Sequence, residues 1–146
     1  MRAVVQRVSR ADVRVDGEVV GAIGAGLAIL LGVGTADGTA QADRLAARLA
    51  RLRIFPDADG RFDRSLLDTG GAALVISQFT LYGDTARGNR PSFTGAAAPE
   101  LAEPLYERVC ERLLAEGVQA LERGRFGAHM QVELVNDGPV TIVIEL

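Results

Sequence analysis

Five consecutive apolar residues, Ala72 to Ile76, run directly into the polar segment Ser77-Gln78-Phe79-Thr80. A continuous run of this kind predicts a strand buried on both faces, which needs layers of structure on either side of a sheet. The Ser, Gln and Thr that follow it need hydrogen-bond partners. Two interpretations remain open: a satisfied strand end that enters a turn at Tyr82-Gly83-Asp84, or the lining of a wet pocket.

Composition favours a single folded domain. The 146 residues are 48% hydrophobic and 24% charged, near the average for globular proteins, which argues against disorder. No apolar run approaches the roughly 18–20 residues that span a bilayer. The N-terminus also lacks the continuous apolar centre of a signal peptide. We therefore expect one domain, residues 1–146, that works in the cytosol and makes no membrane contact.

Several chemistries are excluded by residue counts. One Cys and one His allow neither an internal disulfide nor a Cys/His zinc cluster. Cys110 lies in a helical pattern and is expected to be a buried, inert thiol, although a pair with His129 stays open. The absence of Lys excludes Schiff-base chemistry. The net charge of −3 argues against broad duplex binding but allows a few Arg residues to hold an RNA terminus.

Periodicity predicts strands interleaved with two helices. Pro104 should kink the second helix or delay its first turn. The order of elements indicates a mixed β-sheet system with the helices on one side. The predicted elements are a strand Arg2–Val15, a hairpin turn at Asp16-Gly17, a strand Leu27–Val33, a helix Ala40–Arg53, a turn Asp57–Gly60, a helix Pro99–Glu116, a strand within Val118–Phe126, and two strands joined by Asp137-Gly138-Pro139.

Arg87 and Arg90 lie in a predicted loop, Thr85 to Gly95, directly after the Ser77–Thr80 segment. Two guanidinium groups in a loop at the rim of a pocket are suited to phosphate contact. The alternative is that both are ordinary solvated loop residues. Arg7, by contrast, is expected to be a solvated residue on the face of the first strand.

The Ser77–Thr80 motif is followed about sixty residues later by Asn136-Asp137-Gly138-Pro139-Val140-Thr141. Together the two motifs resemble the D-aminoacyl-tRNA deacylase family. That resemblance implies an α/β fold: a single compact domain with mixed β-sheets in two layers, two main helices packed on one side, and assembly as a homodimer. It covers essentially the whole chain and includes Gln6–Val8, Gly83–Thr85, Arg87–Phe93 and Gly124–Ala128.

The residues themselves offer no Ser-His-Asp triad and no nucleophile elbow. What the Ser77–Thr80 segment does offer is backbone N–H groups beside short polar side chains, which are able to hold an oxyanion. The resemblance implies a metal-free and cofactor-free esterase that hydrolyses D-aminoacyl-tRNA and glycyl-tRNA. Its catalytic segment is Ser77, Gln78, Phe79 and Thr80, with the backbone around Phe79 and Thr80 stabilising the transition state and the 2′-hydroxyl of the tRNA assisting.

The resemblance also implies how L-amino acids are rejected. A cis Gly138-Pro139 bond is expected to reach into the partner subunit's pocket, so that the active site lies at the subunit interface. Arg7 is expected near the cleft, and Phe126 and Met130 near the 3′-terminal adenosine and the pocket wall. Without the resemblance, an ordinary trans turn and two core residues are the default interpretations.

Two other hypotheses remain. The chain is either a non-catalytic homodimer that binds RNA 3′ ends or nucleotides in the same cleft, or a small esterase with Thr80 as covalent nucleophile and a substrate other than RNA.

Overall fold

The computed structural model describes residues 1–146 and contains eight strands, three α-helices and one 3₁₀ turn. In chain order these are β1 (Arg2–Val15), β2 (Glu18–Ile23), β3 (Gly26–Gly32), α1 (Thr39–Ala50), β4 (Phe55–Pro56), β5 (Phe62–Arg64), α2 (Leu66–Thr69), β6 (Ala72–Ser77), the 3₁₀ turn (Phe79–Tyr82), α3 (Pro99–Glu116), β7 (Ala120–Arg123) and β8 (Gln131–Glu145).

β1 joins the two halves of the main sheet. Its first half pairs with β3, its second half pairs with β2, and β8 runs antiparallel along its other side. The pairing with β8 shifts between Val8 and Arg10, where β1 carries one extra residue. A bulge of this kind reverses which alternate residues face the core. Val5 is therefore buried on the helix side, whereas Val13 is buried in a second core on the opposite side.

The predicted turn at Asp16-Gly17 is confirmed. Both residues have positive φ, 51° at Asp16 and 78° at Gly17, and they join β1 to β2 as an antiparallel hairpin. Positive φ at both central residues is what a type I′ two-residue hairpin turn requires, and Asp-Gly tolerates it well.

The other half of the sheet is parallel. β6 lies between β3 and β7 and is parallel to both. Its residues Ala73 to Ile76 are buried, as the continuous apolar run predicts. Parallel neighbours need long crossovers, and these are supplied by α1 and α2 between β3 and β6 and by α3 between β6 and β7.

Both main helices lie where the periodicity predicts them. α1 buries Leu45 and Leu49, but it ends at Ala50 rather than at Arg53, with Arg51 as its C-cap. α3 has the predicted bounds, Pro99–Glu116, and its C-cap, Gly117, takes the left-handed conformation. The predicted delay of its first turn is wrong. The helix begins at Pro99 and continues through Pro104, because its buried face packs against the sheet and α1.

The prediction of two separate strands near the C-terminus is also wrong. Both segments belong to β8, which pairs with β1 along its length. Thr141 is opposite Gln6 and Asn136 is opposite Val8, so five steps along β8 accompany two steps along β1. The extra residues form a bulge, Asn136–Val140, that we call the β8 bulge. Turn-forming residues end a strand only when the chain reverses, and here both flanks keep the same partner.

The predicted two-layer α/β architecture is confirmed. A core of 27 buried residues lies between the sheet and the helices, and a second core of seven lies where β1, β2, β3 and β6 close over each other. The sequence analysis missed the small β4–β5 hairpin and the four-residue helix α2. None of the helices has the length and apolar character needed to cross a membrane.

Candidate active site

A cavity of about 590 Å³ opens at the edge of the sheet where β6 ends. Its walls are the segment from Ser77 to Phe79, the loop that runs from Phe93 into α3, and the segment from Phe126 to Met130. Most of the lining is apolar, and its polar exceptions include Gln78 and His129. An apolar cleft with a few convergent polar groups is typical of a ligand site.

The 3₁₀ turn shapes the lip of this cavity. β6 ends at Ser77, and the turn begins at Phe79, earlier than the turn predicted at Tyr82-Gly83-Asp84. Leu81 N–H donates to the Gln78 carbonyl at 3.3 Å. The first N–H groups of a helical turn have no partner within it. The N–H groups of Phe79 and Thr80 accordingly donate no hydrogen bond within the chain, and the Phe79 side chain is 58% exposed.

Thr80 has no base beside its hydroxyl. Its one side-chain partner is Gln78, whose amide Nε2 donates to Thr80 Oγ1. An amide nitrogen does not remove a proton, so a covalent role for Thr80 has no visible activation. The chain's one imidazole, His129, also lines the cavity but forms no hydrogen bond with Thr80. No group of three His, Cys, Asp or Glu side chains comes together as a metal site.

Cys110 is fully buried in α3, as predicted, and it is not among the residues that line the cavity. Burial raises the pKa of its thiol from an ordinary 9.0 to about 11. A thiol with a raised pKa is a poor nucleophile at neutral pH. The alternative Cys–His pair with His129 is therefore unsupported.

Phe126 and Met130 line the same cavity as Ser77, Gln78 and Phe79, so the structure brings these five predicted site residues together. The Phe126 ring lies 6.0 Å from the ring of Tyr106. Tyr106 is itself fixed, because its hydroxyl donates to the Val75 carbonyl at 2.8 Å, and burial raises its pKa. Met130 Sδ accepts the N–H of Arg125 at 3.4 Å. Phe126 and Met130 are thus partly exposed wall residues rather than members of the core.

Arg7, Gly138 and Pro139 form a separate group that does not line the cavity of the same chain. Arg7 Nε donates to the Asp137 carbonyl at 2.9 Å, and its Nη1 donates to the Ile54 carbonyl at 2.7 Å. The Gly138–Pro139 bond is cis, as predicted. Arg7 therefore holds the β8 bulge.

The base of the β8 bulge is closed by Asn136. Its Oδ1 accepts the N–H of Val140 at 2.6 Å, and its Nδ2 donates to the Val140 carbonyl at 3.2 Å and to Thr141 Oγ1 at 3.1 Å. A side chain that bonds the backbone across a bulge replaces the missing strand pairing. Asn136 thereby fixes how Gly138 and Pro139 project.

A family model described as D-Tyr-tRNA(Tyr) deacylase matches residues 4–145. The chain belongs to the D-aminoacyl-tRNA deacylase family. Within this deacylase family, a relative from Roseiflexus castenholzii named "D-aminoacyl-tRNA deacylase" is 63% identical over 145 residues. The match covers 99% of this chain and 92% of the relative.

Two solved structures have the same deacylase fold. One, titled "c-Myc DNA Unwinding Element Binding Protein", superimposes with a TM-score of 0.94 at 40% identity and covers 100% of this chain and 99% of its own. The other is titled "Structural Analysis of a probable eukaryotic D-amino acid tRNA deacylase". It has a TM-score of 0.85 at 17% identity and covers 99% of this chain and 98% of its own. The second likeness concerns the fold alone.

The deacylase chain also contains a support behind the 3₁₀ turn that the sequence analysis missed. Arg2 donates to the Leu81 carbonyl at 3.0 Å, and its guanidinium lies 4.6 Å from the centre of the Tyr82 ring. The Tyr82 hydroxyl donates to Asp37 Oδ2 at 3.3 Å, and that oxygen also accepts the N–H of Gly34 at 2.6 Å. Burial raises the pKa of Tyr82 to about 12, so the hydroxyl remains a donor at neutral pH.

Phe93 and His129 are cavity residues that sequence patterns do not single out. Phe93 packs edge-on against Phe79 with ring centres 5.1 Å apart. The available signal was an aromatic residue in an otherwise polar loop. His129 offered only its residue type.

Proposed function

We propose that this chain hydrolyses the ester bond of D-aminoacyl-tRNA, and of glycyl-tRNA, to release the free amino acid and tRNA. The observation that carries this proposal is a pair of adjacent backbone N–H groups with no partner in the chain, one at Phe79, which lines the cavity, and one at Thr80, which follows it directly. Such donors stabilise an oxyanion by roughly 3–4 kcal/mol each. Aminoacyl-tRNA is made in the cytoplasm, which is the compartment the proposal requires.

The reaction needs positioning more than side-chain chemistry. Water adds to the ester carbonyl carbon, and the carbonyl oxygen becomes an oxyanion that accepts from the N–H groups of Phe79 and Thr80. The bond to the ribose 3′-oxygen then breaks, and that oxygen takes a proton as the amino acid leaves. The vicinal 2′-hydroxyl of the tRNA assists the water. Holding these groups in one geometry replaces a strong base in the protein.

The apolar walls suit the terminal adenosine of the tRNA. Phe79, Phe93 and Phe126 present aromatic surface to the cavity, and Met130 adds a polarisable thioether. Base stacking on aromatic side chains contributes roughly 1–3 kcal/mol per base. Ser77 and Gln78 add polar groups at the end of β6. We propose that these residues bind the 3′-terminal adenosine.

Rejection of L-amino acids falls to the β8 bulge of a second copy. In this proposal the Gly138 and Pro139 backbone enters the partner's cavity, where an L-side chain collides with it while a D-side chain or a glycine hydrogen does not. Selection of this kind acts by exclusion. Arg7 serves it by holding Asp137 in place.

In this proposal the homodimer forms along β8. β8 pairs with β1 on one side and with no strand on the other. Val135 and Val143 expose apolar side chains on it, and Val132 belongs both to β8 and to the lining of the cavity. A long unpaired edge with exposed apolar residues is a surface that a second chain covers.

The deciding assay compares hydrolysis of D-Tyr-tRNA with that of L-Tyr-tRNA and Gly-tRNA. Turnover of the D and glycyl forms, with the L form intact, supports the proposal. Binding without turnover means instead an RNA 3′-end binding protein, and hydrolysis of simple esters alone means a different esterase. Thr80→Ala separates the two mechanisms: retained deacylation supports backbone catalysis, and complete loss in a folded protein assigns Thr80 a covalent role.

A further inference from the structure

The arginines of this chain divide into two groups. All sixteen basic residues are Arg. Most of them lie within ion-pair distance of a carboxylate. A carboxylate partner neutralises a guanidinium locally and occupies its donors. The six that have no such partner are Arg44, Arg48, Arg64, Arg87, Arg90 and Arg125.

Two of the six lie in the loop that leads to the cavity. The backbones of Asp84 and Ser92 exchange hydrogen bonds of 2.8 and 2.9 Å, so the residues between them form a closed projection. Arg87 and Arg90 are exposed on this projection. The next residue after its base is Phe93, which lines the cavity and packs against Phe79. The one acidic side chain of the loop, Asp84, accepts the N–H of Ala86 at 2.9 Å.

The third, Arg125, does not line the cavity itself but adjoins another lining segment, Phe126 to Met130. It directly precedes Phe126, and its N–H donates to Met130 Sδ. Its side chain is exposed. Arginines with no carboxylate partner therefore adjoin two of the segments that line the cavity, one at Phe93 and one at Phe126.

We propose that Arg87, Arg90 and Arg125 form a phosphate-binding rim that receives the backbone of the single-stranded RNA whose terminal adenosine fills the cavity. This inference rests on the proposed function and adds the part of the substrate that enters from outside. An Arg fork binds phosphate oxygens in bidentate fashion when no carboxylate competes. Because the net charge is −3, attraction to RNA must come from local positive charge.

The remaining free arginines provide a matched control. Arg44 and Arg48 are exposed on α1, which contributes no residue to the cavity. Arg64 is exposed on β5 and has no carboxylate partner, although its Nη2 donates to the Asp68 carbonyl at 2.9 Å. The variant R44Q/R48Q/R64Q changes the net charge by the same amount as R87Q/R90Q/R125Q. Neither variant removes an ion pair, and melting temperatures of both verify the fold.

The experiment measures the Kd of a labelled single-stranded RNA with a CCA 3′ end as a function of NaCl concentration. Each phosphate contact on single-stranded nucleic acid contributes about 0.7 to the slope of log K against log salt. The rim variant, R87Q/R90Q/R125Q, should therefore show a slope shallower by about 2. Its loss of RNA affinity relative to the wild type should then shrink about fourfold for each doubling of salt. The control variant should keep the wild-type slope.

Two results overturn the rim: an unchanged slope in R87Q/R90Q/R125Q, or an equal change in R44Q/R48Q/R64Q, which would mean a diffuse effect of net charge. Wild-type turnover of D-Tyr-tRNA is measured in parallel. If the wild type hydrolyses D-Tyr-tRNA and the rim variant binds the RNA with the wild-type affinity and salt dependence, the rim inference fails and the proposed function stands. If the wild type fails to hydrolyse it, the proposed function itself fails.

Discussion

The backbone origin of catalysis is tested most directly by replacing Phe79 with Pro, because proline removes the N–H of that residue. The Phe79 N–H bonds nothing within the chain, so no native hydrogen bond is lost. Proline is favoured at the first position of a helical turn. Gln78 before it has φ −145° and ψ 79°, outside the α region that a following proline disfavours. The fold should therefore tolerate the change.

The matched control is Phe79→Ala, which loses the same ring and its contact with Phe93 but keeps the N–H. Removing one oxyanion donor lowers kcat about 100- to 1,000-fold. We expect the proline variant to fall below the alanine variant by that factor in kcat, with similar KM, in single-turnover hydrolysis of D-Tyr-tRNA. Equal kcat in two folded variants would show that this N–H does not hold the oxyanion.

Three further predictions concern the support, the interface and the core. Tyr82→Phe removes the hydrogen bond to Asp37, worth about 1 kcal/mol; kcat should fall about fivefold at unchanged KM, and a pure rise in KM would exclude a positioning role. Val143 is 65% exposed on β8, so an Asp there should be tolerated by a monomer but not by a dimer interface. Val143→Asp should therefore shift the mass measured by sedimentation from dimer to monomer, and it should abolish discrimination between D- and L-Tyr-tRNA. The raised pKa of Cys110 means that its stabilising contribution, as a neutral buried thiol, is complete below the ordinary value of 9.0 and is lost as pH rises toward about 11. Denaturant unfolding over that range should show a loss of stability that Cys110→Ala reduces.

Local patterns were sufficient where a few neighbouring residues fix the structure. The Asp16-Gly17 turn and the face of α1 marked by Leu45 and Leu49 follow from residue type and spacing alone. The start of α2 carries a further local signal, because Ser65 and Asp68 cap each other. The helix is only four residues long, which is too short for hydrophobic periodicity to predict it.

Long-range pairing decided the parts that local patterns missed. Asn136-Asp137-Gly138-Pro139 has the residues of a chain-reversing turn, yet both flanks pair with β1, and the segment projects as a bulge. Which strand each flank meets depends on the length of β1, far away in sequence. The cavity also depends on long-range packing, because Phe93 and His129 reach it on separate segments that only the tertiary fold brings together.

The arrangement within one chain bears on why selection would need two copies. The free Phe79 N–H stands at a cavity whose walls are mostly apolar, and the free Thr80 N–H follows it directly. Such walls distinguish enantiomers poorly by attraction, because a D- and an L-amino acid carry the same side chain. The rigid backbone that would exclude one hand is held elsewhere, by Arg7 and Asn136, outside the cavity of its own chain. A dimer would let each copy complete the other. A substitution that removes the hydrogen bonds of Arg7 should then leave hydrolysis of D-Tyr-tRNA largely intact while L-Tyr-tRNA becomes a substrate. A defect in the 3₁₀ turn should instead slow the hydrolysis of both aminoacyl-tRNAs.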